Sequence, residues 1–403
     1  MALVSQEIIK GIKDELKDKH PEVYLEAFLS QEAREVLKII IKNSNPLLLS
    51  IDEKLDYVIQ EIVGLGVIDE LLKKHENITD ISFNGTFLTI ETPEEKWVYE
   101  EELTENYINK LITKFANAVG KGFSPKEPIL DAGLGYLRIN AMHKVNSPYG
   151  TTMSLRVSKP KLALNEENFE VFAPLYILDF FKAVVKSRSN VVISGDTGTG
   201  KTELAKFLTS YIHFEEKIIV GEDTQEGHYK ELFPDKDIIS WLTSPGITYK
   251  DLIKAALRNN PIWINIAETR GEEAYEMIQA VLSGHRIITT AHTVDARATP
   301  TRFVNMAKMG YQVDEKSLKE DIYRYFQFGF HIKKKKINGK TVRFLSEIVE
   351  YLDGEKAITV FETEEDGDKF KYNIGNYSEN FLKRLKDFNV DYRGLPKEES
   401  VSQ

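Results

Sequence analysis

The stretch from Asn190 to Glu203, Asn-Val-Val-Ile-Ser-Gly-Asp-Thr-Gly-Thr-Gly-Lys-Thr-Glu, constrains this chain more than any other. Gly195, four residues, then Gly200-Lys201-Thr202 satisfies the G-x-x-x-x-G-K-[ST] pattern of a phosphate-binding loop. Val191-Val192-Ile193 before it is a β-branched run suited to a buried strand. Leu204, Phe207, Leu208 and Ile212 after it recur at helical spacing. Strand, glycine-rich turn and helix place backbone N–H groups and a helix N-terminus around an anion. Gly195, Gly198 and Gly200 let the backbone curl around phosphate oxygens without a Cβ in the way. Lys201 is expected to reach the β- and γ-phosphates, and the Thr202 hydroxyl to coordinate Mg²⁺. The expected nucleotide-binding set is therefore Gly195, Asp196, Thr197, Gly198, Thr199, Gly200, Lys201, Thr202 and Glu203.

A bound triphosphate also needs an acidic group for the metal or the attacking water. Ile218-Ile219-Val220 leads to Gly221-Glu222-Asp223, and Pro261 to Ile266 leads to Ala267-Glu268-Thr269-Arg270. Strands alternating with helices imply a parallel sheet, whose ligands bind at the carboxyl ends of the strands. Carboxylates just past two strand ends therefore share a rim with the phosphate loop. Glu268 reads as general base or water-orienter, and Glu222 with Asp223 as holders of metal and water; Thr202, Glu222, Asp223 and Glu268 form the candidate metal set. His285 and His292 flank the short apolar strand at Ile287-Ile288 and read either as phosphate sensors or as structural histidines. Arg138 and Arg156 reach a nucleotide only across a domain or subunit interface; by composition alone they are surface arginines.

At 403 residues the chain exceeds one ordinary domain. Residues 1–49 read as a helical extension with apolar stripes (Ile8, Ile9, Ile12, then Val36, Leu37, Ile39, Ile40 and Ile41) broken at Pro21, serving as a cap or as a docking arm. Residues 50–158 read as an α+β domain. It contains a capping box at Ser50-Ile51-Asp52-Glu53, a strand at Ile78 to Phe83, a turn at Asn84-Gly85, a helix over 104–119, and strands at Tyr136 to Met142 and Thr151 to Val157. Residues 159–173 lose periodicity and read as a linker. Residues 174–352 form the strand–helix alternation, closing with a hairpin whose turn is Asn338-Gly339. The Lys333 to Lys336 run on that hairpin reads as a solvated, charge-protected edge strand, with anionic lipid or nucleic acid as the other reading. Residues 353–403 supply a C-terminal hairpin, a last helix and a frayed tail beyond Pro396.

Net charge of −10 opposes the electrostatic footprint of a nucleic-acid binder. The absence of cysteine excludes disulfides and thiolate chemistry. The N-terminus lacks a signal peptide's basic start and apolar core, and no stretch is apolar over the length of a membrane span. A soluble cytoplasmic protein is expected, linked to a membrane only through partners.

The order phosphate loop, Glu222-Asp223, Ala267-Glu268-Thr269-Arg270, Gly284-His285 and His292 resembles the secretion and traffic ATPases of type II and type IV secretion, type IV pili and tight-adherence pili. That family carries a Walker A loop, an Asp box, a Walker B Gly-Glu-x-Arg and a His box in this order. Leu257-Arg258-Asn259-Asn260-Pro261 looks like the stretch leading into Walker B. Gly64 to Leu72 with Ile78 to Gly85 looks like the type IV secretion and tight-adherence branch, in which Tyr136-Leu137-Arg138-Ile139 and Ser154-Leu155-Arg156-Val157 stand where the arginine-bearing strands lie. Ala267, Ile262 and Gly221 depart from the family pattern without removing a residue the chemistry requires.

The resemblance implies an α/β protein: an N-terminal α+β domain joined by a linker to a RecA-like P-loop NTPase domain with a central, mostly parallel sheet. It implies ATP and Mg²⁺, a homo-hexameric ring, and a place at the cytoplasmic face of an inner-membrane secretion, conjugation or pilus platform, with no specific nucleic acid. Glu268 would activate water, Glu222 support the metal–water shell, His285 and His292 sense the γ-phosphate, and Arg270 fix Glu268 or the ring interface. Arg138 and Arg156 would close on the γ-phosphate. Two other readings remain: a RecA-like DNA translocase or recombinase, and a nucleotide-gated scaffold with little turnover.

Overall fold

The computed structural model describes residues 4–45 and 52–396, so Ser50 and Ile51 of the expected capping box and the tail beyond Pro396 lie outside the described residues. The chain forms two compact units, residues 1–158 and 159–403. No helix among the described residues is long and apolar enough to cross a membrane.

The first unit begins with helices α1 (Gln6–Lys19), α2 (Pro21–Glu26) and α3 (Gln31–Ser44). Serine hydroxyls cap α1 and α3: Ser5 accepts from Ile8 N–H and Ser30 from Ala33 N–H. Ile9, Ile12, Leu16, Leu37 and Ile41 are buried in the same core as residues 55–157, while Val36 and Ile39 stay exposed. The N-terminal helices are thus a cap on this unit. Arg34 fastens them: buried, it donates to the carbonyls of Ala27 and Phe28 and to both oxygens of Asp69 at 3.0 and 3.1 Å.

Helices α4 (Asp52–Val63), α5 (Val67–Lys74) and α6 (Glu105–Ala118) cover one face of an antiparallel sheet. Its strands are β1 (Asp80–Phe83), β2 (Leu88–Glu91), β3 (Lys96–Val98), β4 (Ile129–Leu134), β5 (Leu137–Met142) and β6 (Thr152–Val157), in the order β3-β2-β1-β6-β5-β4. Period-2 alternation sends Ile81, Leu155, Ile139 and Leu130 into the core, leaving the intervening side chains on the other face. Arg138 and Arg156 stand there directly opposite each other on β5 and β6.

The second unit opens with residues 159–173, which are not a free linker. Phe169 is fully buried and stacks on Phe207, and Leu162 and Leu164 pack on the same core. In order follow α7 (Leu175–Lys186), β7 (Val191–Gly195), α8 (Lys201–Thr209), β8 (Ile218–Glu222), α9 (Tyr229–Leu232), β9 (Ile238–Leu242), α10 (Tyr249–Ala256), β10 (Trp263–Ile266), α11 (Glu273–Leu282), β11 (Arg286–Ala291), α12 (Thr299–Ala307), α13 (Glu315–Tyr325), β12 (Phe328–Ile337), β13 (Lys340–Leu352), β14 (Lys356–Asp366), β15 (Lys369–Ile374) and α14 (Glu379–Asp387). One sheet of order β15-β14-β13-β12-β7-β11-β10-β8-β9 holds all nine strands. From β12 to β9 neighbouring strands are parallel, and β12 to β15 form an antiparallel meander.

Alternation along β7 shows the layering. Val191 and Ile193 join a core with α7, α8 and α14, whereas Val192 joins the opposite core with α10 to α13. Helices therefore cover both faces, as a parallel sheet requires. Two expectations change. The hairpin expected after residue 352 is β14 and β15, but it extends the same sheet, and Phe381 and Leu385 of α14 enter its core. The lysine run lies on β12, an interior strand paired to both β7 and β13; the sheet edges are β15 and β9. A lysine run reads as an edge because interior strands are usually apolar, but only residues 328–332 of β12 face β7, and the lysines begin where that neighbour ends.

Candidate functional site

The parallel strands β7, β8, β10 and β11 all deliver their carboxyl ends to one rim, which is where chemistry-bearing residues collect. β7 ends at Gly195, whose φ of 149° and whose absent Cβ, which would stand 2.4 Å from the Ile332 carbonyl oxygen, both require glycine. Gly198 and Gly200 also take positive φ, and α8 begins at Lys201. Lys201 Nζ donates to the carbonyls of Gly195 and Asp196, both at 3.0 Å, inside the curl of the loop. Burial depresses its pKa to about 8, against the opposing pull of Glu268 and Asp196. The same Nζ lies 3.4 Å from His292 Nδ1, and His292 Nε2 lies 3.4 Å from Glu268 Oε1. Lysine, histidine and carboxylate thus form a chain across the rim.

Glu222, the last residue of β8, is 2% exposed. Burial raises its pKa to about 7, while the Gly227 N–H, donating to Oε1 at 2.7 Å, works against that rise. Asp223 accepts from Arg270 Nη2 at 2.8 Å. Arg270, expected to fix Glu268 or the ring interface, has Asp223 as its hydrogen-bonded carboxylate partner, between the ends of β8 and β10. Glu273, in the first turn of α11, accepts from the N–H groups of Arg270 and Gly271 and fixes the loop that carries Glu268. Thr290 braces that loop from β11 by donating to the Ala267 carbonyl at 2.7 Å.

Two sequence expectations separate from the rim. His285 precedes β11 and His292 follows it, so the strand's six residues put them roughly 20 Å apart. His285 pairs through Nδ1 with the Pro261 carbonyl at 2.9 Å, on the amino-end side of the sheet. It is not beside the phosphate loop. Glu203 turns its carboxylate to the Ala163 N–H at 3.0 Å and to Lys206, so it anchors residues 159–173 rather than facing a ligand. In the first unit, Arg138 pairs with Asp131 at 3.6 Å and Arg156 with Asp80 at 3.3 Å.

Among the described residues no three His, Asp or Glu side chains cluster with metal-holding geometry. The donors of the candidate metal set, the Thr202 hydroxyl and the Glu222, Asp223 and Glu268 carboxylates, are all oxygen. They suit Mg²⁺, which takes one or two protein ligands and otherwise keeps water and phosphate oxygens. With Asp223 committed to Arg270 and one Glu222 oxygen to Gly227, few protein donors remain, as Mg²⁺ requires.

Sequence reading missed residues brought in from β12 and β13. Lys334 Nζ donates to the Thr197 carbonyl at 2.8 Å and Arg343 Nε to the Gly198 carbonyl at 2.9 Å. His331, buried and depressed to about 4 by that burial, pairs with Ser194 Oγ at 2.8 Å under the loop. Their distance in sequence from the loop, more than 130 residues, left no local signal.

A glycine-curled loop between β7 and α8, with acidic residues at the ends of the neighbouring parallel strands, defines a RecA-like P-loop NTPase domain. Residues 135–320 match the Type II/IV secretion system protein family, a span containing Arg138, Arg156 and the rim residues from Gly195 to His292. The chain belongs to this family. It is 50% identical over 407 aligned positions to an uncharacterized protein of Bacillus anthracis, covering 96% of this chain and 92% of that one. It is 29% identical over 181 positions to the type IV secretion system protein VirB11 of Brucella suis, covering 42% of this chain and 50% of the relative. Among solved structures, the ATPase DotB of Legionella pneumophila matches in fold with a TM-score of 0.53 at 20% identity, over 72% of this chain and 81% of that one.

Proposed function

We propose that this protein is an ATP-hydrolysing motor that assembles as a homo-hexameric ring at the cytoplasmic face of a membrane machine for secretion, conjugation or pilus assembly. The observation that carries the reading is the convergence of Lys201, His292 and Glu268 on the phosphate loop within 3.4 Å links. Family membership supports the ring and the membrane platform.

In this reading the loop N–H groups and Lys201 hold the phosphates of ATP. Mg²⁺, when bound, neutralises charge on the phosphate oxygens; Thr202 and Glu222 are the residues that would hold it. Glu268 accepts a proton from water as the water oxygen attacks the γ-phosphorus and the bond to the bridging oxygen breaks. His292, between Lys201 and Glu268, relates the carboxylate to the phosphate-binding lysine. Asp223 and Arg270 tie the Asp-box and Walker B loops together. Arg138 and Arg156 take the role of charge-stabilising groups that exchange their carboxylate partners for the γ-phosphate.

Substituting Glu268→Gln tests the reading. Tight ATP binding with hydrolysis reduced at least ~100-fold is expected. Equal, slow turnover by both proteins would leave a nucleotide-gated scaffold, and DNA-stimulated turnover with salt-sensitive DNA binding would favour the translocase. Mass measurement with a non-hydrolysable ATP analogue tests the ring; a strict monomer at micromolar concentration counts against it.

A further inference from the structure

We infer that Lys334 and Arg343 are positioning residues that set the orientation of the phosphate-loop peptides and so tune its affinity for phosphate; this rests on the nucleotide-site reading above. The two are register partners on β12 and β13. They approach adjacent carbonyls of the loop, Thr197 at 2.8 Å and Gly198 at 2.9 Å. The loop divides its carbonyls in two. Those of Gly195 and Asp196 turn inward to Lys201, whereas those of Thr197 and Gly198 turn toward the hairpin.

A peptide unit is planar, with C=O and N–H pointing in opposite directions. Fixing the Thr197 carbonyl on the hairpin side therefore points the Gly198 N–H away from the hairpin, and fixing the Gly198 carbonyl does the same for the Thr199 N–H. The Thr199 N–H indeed faces inward, 3.4 Å from the Asp196 carbonyl. These are the N–H groups an anion meets inside such a loop. A cation on the carbonyl side both holds the peptide in that orientation and polarises its N–H, making it a stronger donor. Gly198 carries a φ of 75° and sits so close that a Cβ there would lie 3.2 Å from Lys334 Nζ. Without the hairpin cations, a glycine-rich loop with φ free to change sign has many peptide orientations to lose on binding.

The inference distinguishes positioning from direct contact. Loop N–H groups serve diphosphate and triphosphate alike, so losing their orientation weakens both equally. A direct ligand of the γ-phosphate affects the triphosphate alone. The test uses the full-length chain with fluorescent ADP, a fluorescent non-hydrolysable ATP analogue, and steady-state kinetics. Lys334→Met and Arg343→Met should each weaken both nucleotides about tenfold at an unchanged ADP-to-ATP ratio. KM should rise by the same factor with kcat nearly constant, the signature of uniform binding. Lys334→Arg, which also reaches the carbonyl, should restore wild-type affinity, and the melting temperature should hold in all three. Unchanged affinity in the methionine variants overturns the inference, as does a loss confined to the triphosphate. If Lys201→Ala abolishes binding while Lys334→Met does not, only this inference fails. If the wild type binds neither nucleotide, the site reading fails first.

Discussion

In the proposed nucleotide site, Lys201 should make affinity depend on pH in a range where an ordinary lysine would not. The residue is 9% exposed and its pKa is depressed to about 8 by burial. In the proposed site a bound polyphosphate replaces the lost hydration with negative charge and raises the pKa back toward that of an ordinary lysine. Binding therefore takes up a proton wherever the free protein has already lost it. Between pH 8 and pH 9.5 the protonated fraction of the free protein falls from about one half to about 0.03, so affinity should fall roughly fifteenfold. An unperturbed lysine would change by only about 10% over that interval. Glu222, with its pKa near 7, is ionised throughout the interval and does not confuse the result.

The sign for folding is the reverse of the usual lysine case. The folded pKa is depressed, so the charged lysine costs stability below pH 8, and that cost is relieved as pH rises from about 8 toward 10.5. Stability and affinity thus move in opposite directions. Calorimetric titration of ADP in two buffers of different ionisation enthalpy reads both affinity and proton uptake, which should be about 0.9 proton at pH 9. Lys201→Arg keeps its charge through this interval and should show a flat profile. Affinity constant within twofold in the wild type, or no proton uptake at pH 9, refutes the buried-lysine argument.

Three further outcomes follow from particular contacts. Glu222→Gln removes a carboxylate whose folded pKa is raised to about 7, so the wild type should lose stability as pH climbs from about 4.5 to 7 while the variant does not, with a difference at pH 8.5 of up to about 3 kcal/mol by denaturant titration. Gly195→Ala drives a Cβ to 2.4 Å from the Ile332 carbonyl oxygen at a φ that side chains rarely adopt; about 2–4 kcal/mol of stability and measurable ADP binding should be lost together. Arg34→Met leaves Asp69 without its guanidinium and frees the carbonyls of Ala27 and Phe28, which should cost about 3 kcal/mol and raise amide exchange across α1 to α3 before the rest of the chain.

The fold was legible wherever period and punctuation agreed. The helix expected over 104–119 is α6, capped by Thr104, and Asn338-Gly339 supplies two positive φ values between β12 and β13. What escaped was the fate of segments without periodicity. Residues 159–173 read as a linker because Leu162, Leu164 and Phe169 follow neither a 3.6 nor a 2.0 repeat, and each is held by tertiary contact alone. The hairpin expected after residue 352 reads as separate from the preceding domain, yet Val360 and Phe361 are fully buried where β14 crosses the core.

At the site, strand direction decides what sequence proximity cannot. His285 and His292 look equivalent from the chain, seven positions apart around one apolar strand. A parallel sheet collects ligands at only one end, so the histidine after β11 meets Lys201 and Glu268 while the one before it ties down Pro261. The same rule made Glu222 and Glu268 findable, each just where its strand stops. Lys334 obeys the same rule, standing on β12 just past the carboxyl end of its parallel neighbour β7, whereas Arg343 comes back to the rim on β13, which runs antiparallel to β12. Cations read as solvated by composition thus become the outer wall of the phosphate loop. The loop is shaped from both sides: Lys201 draws two carbonyls in, and the hairpin draws the next two out.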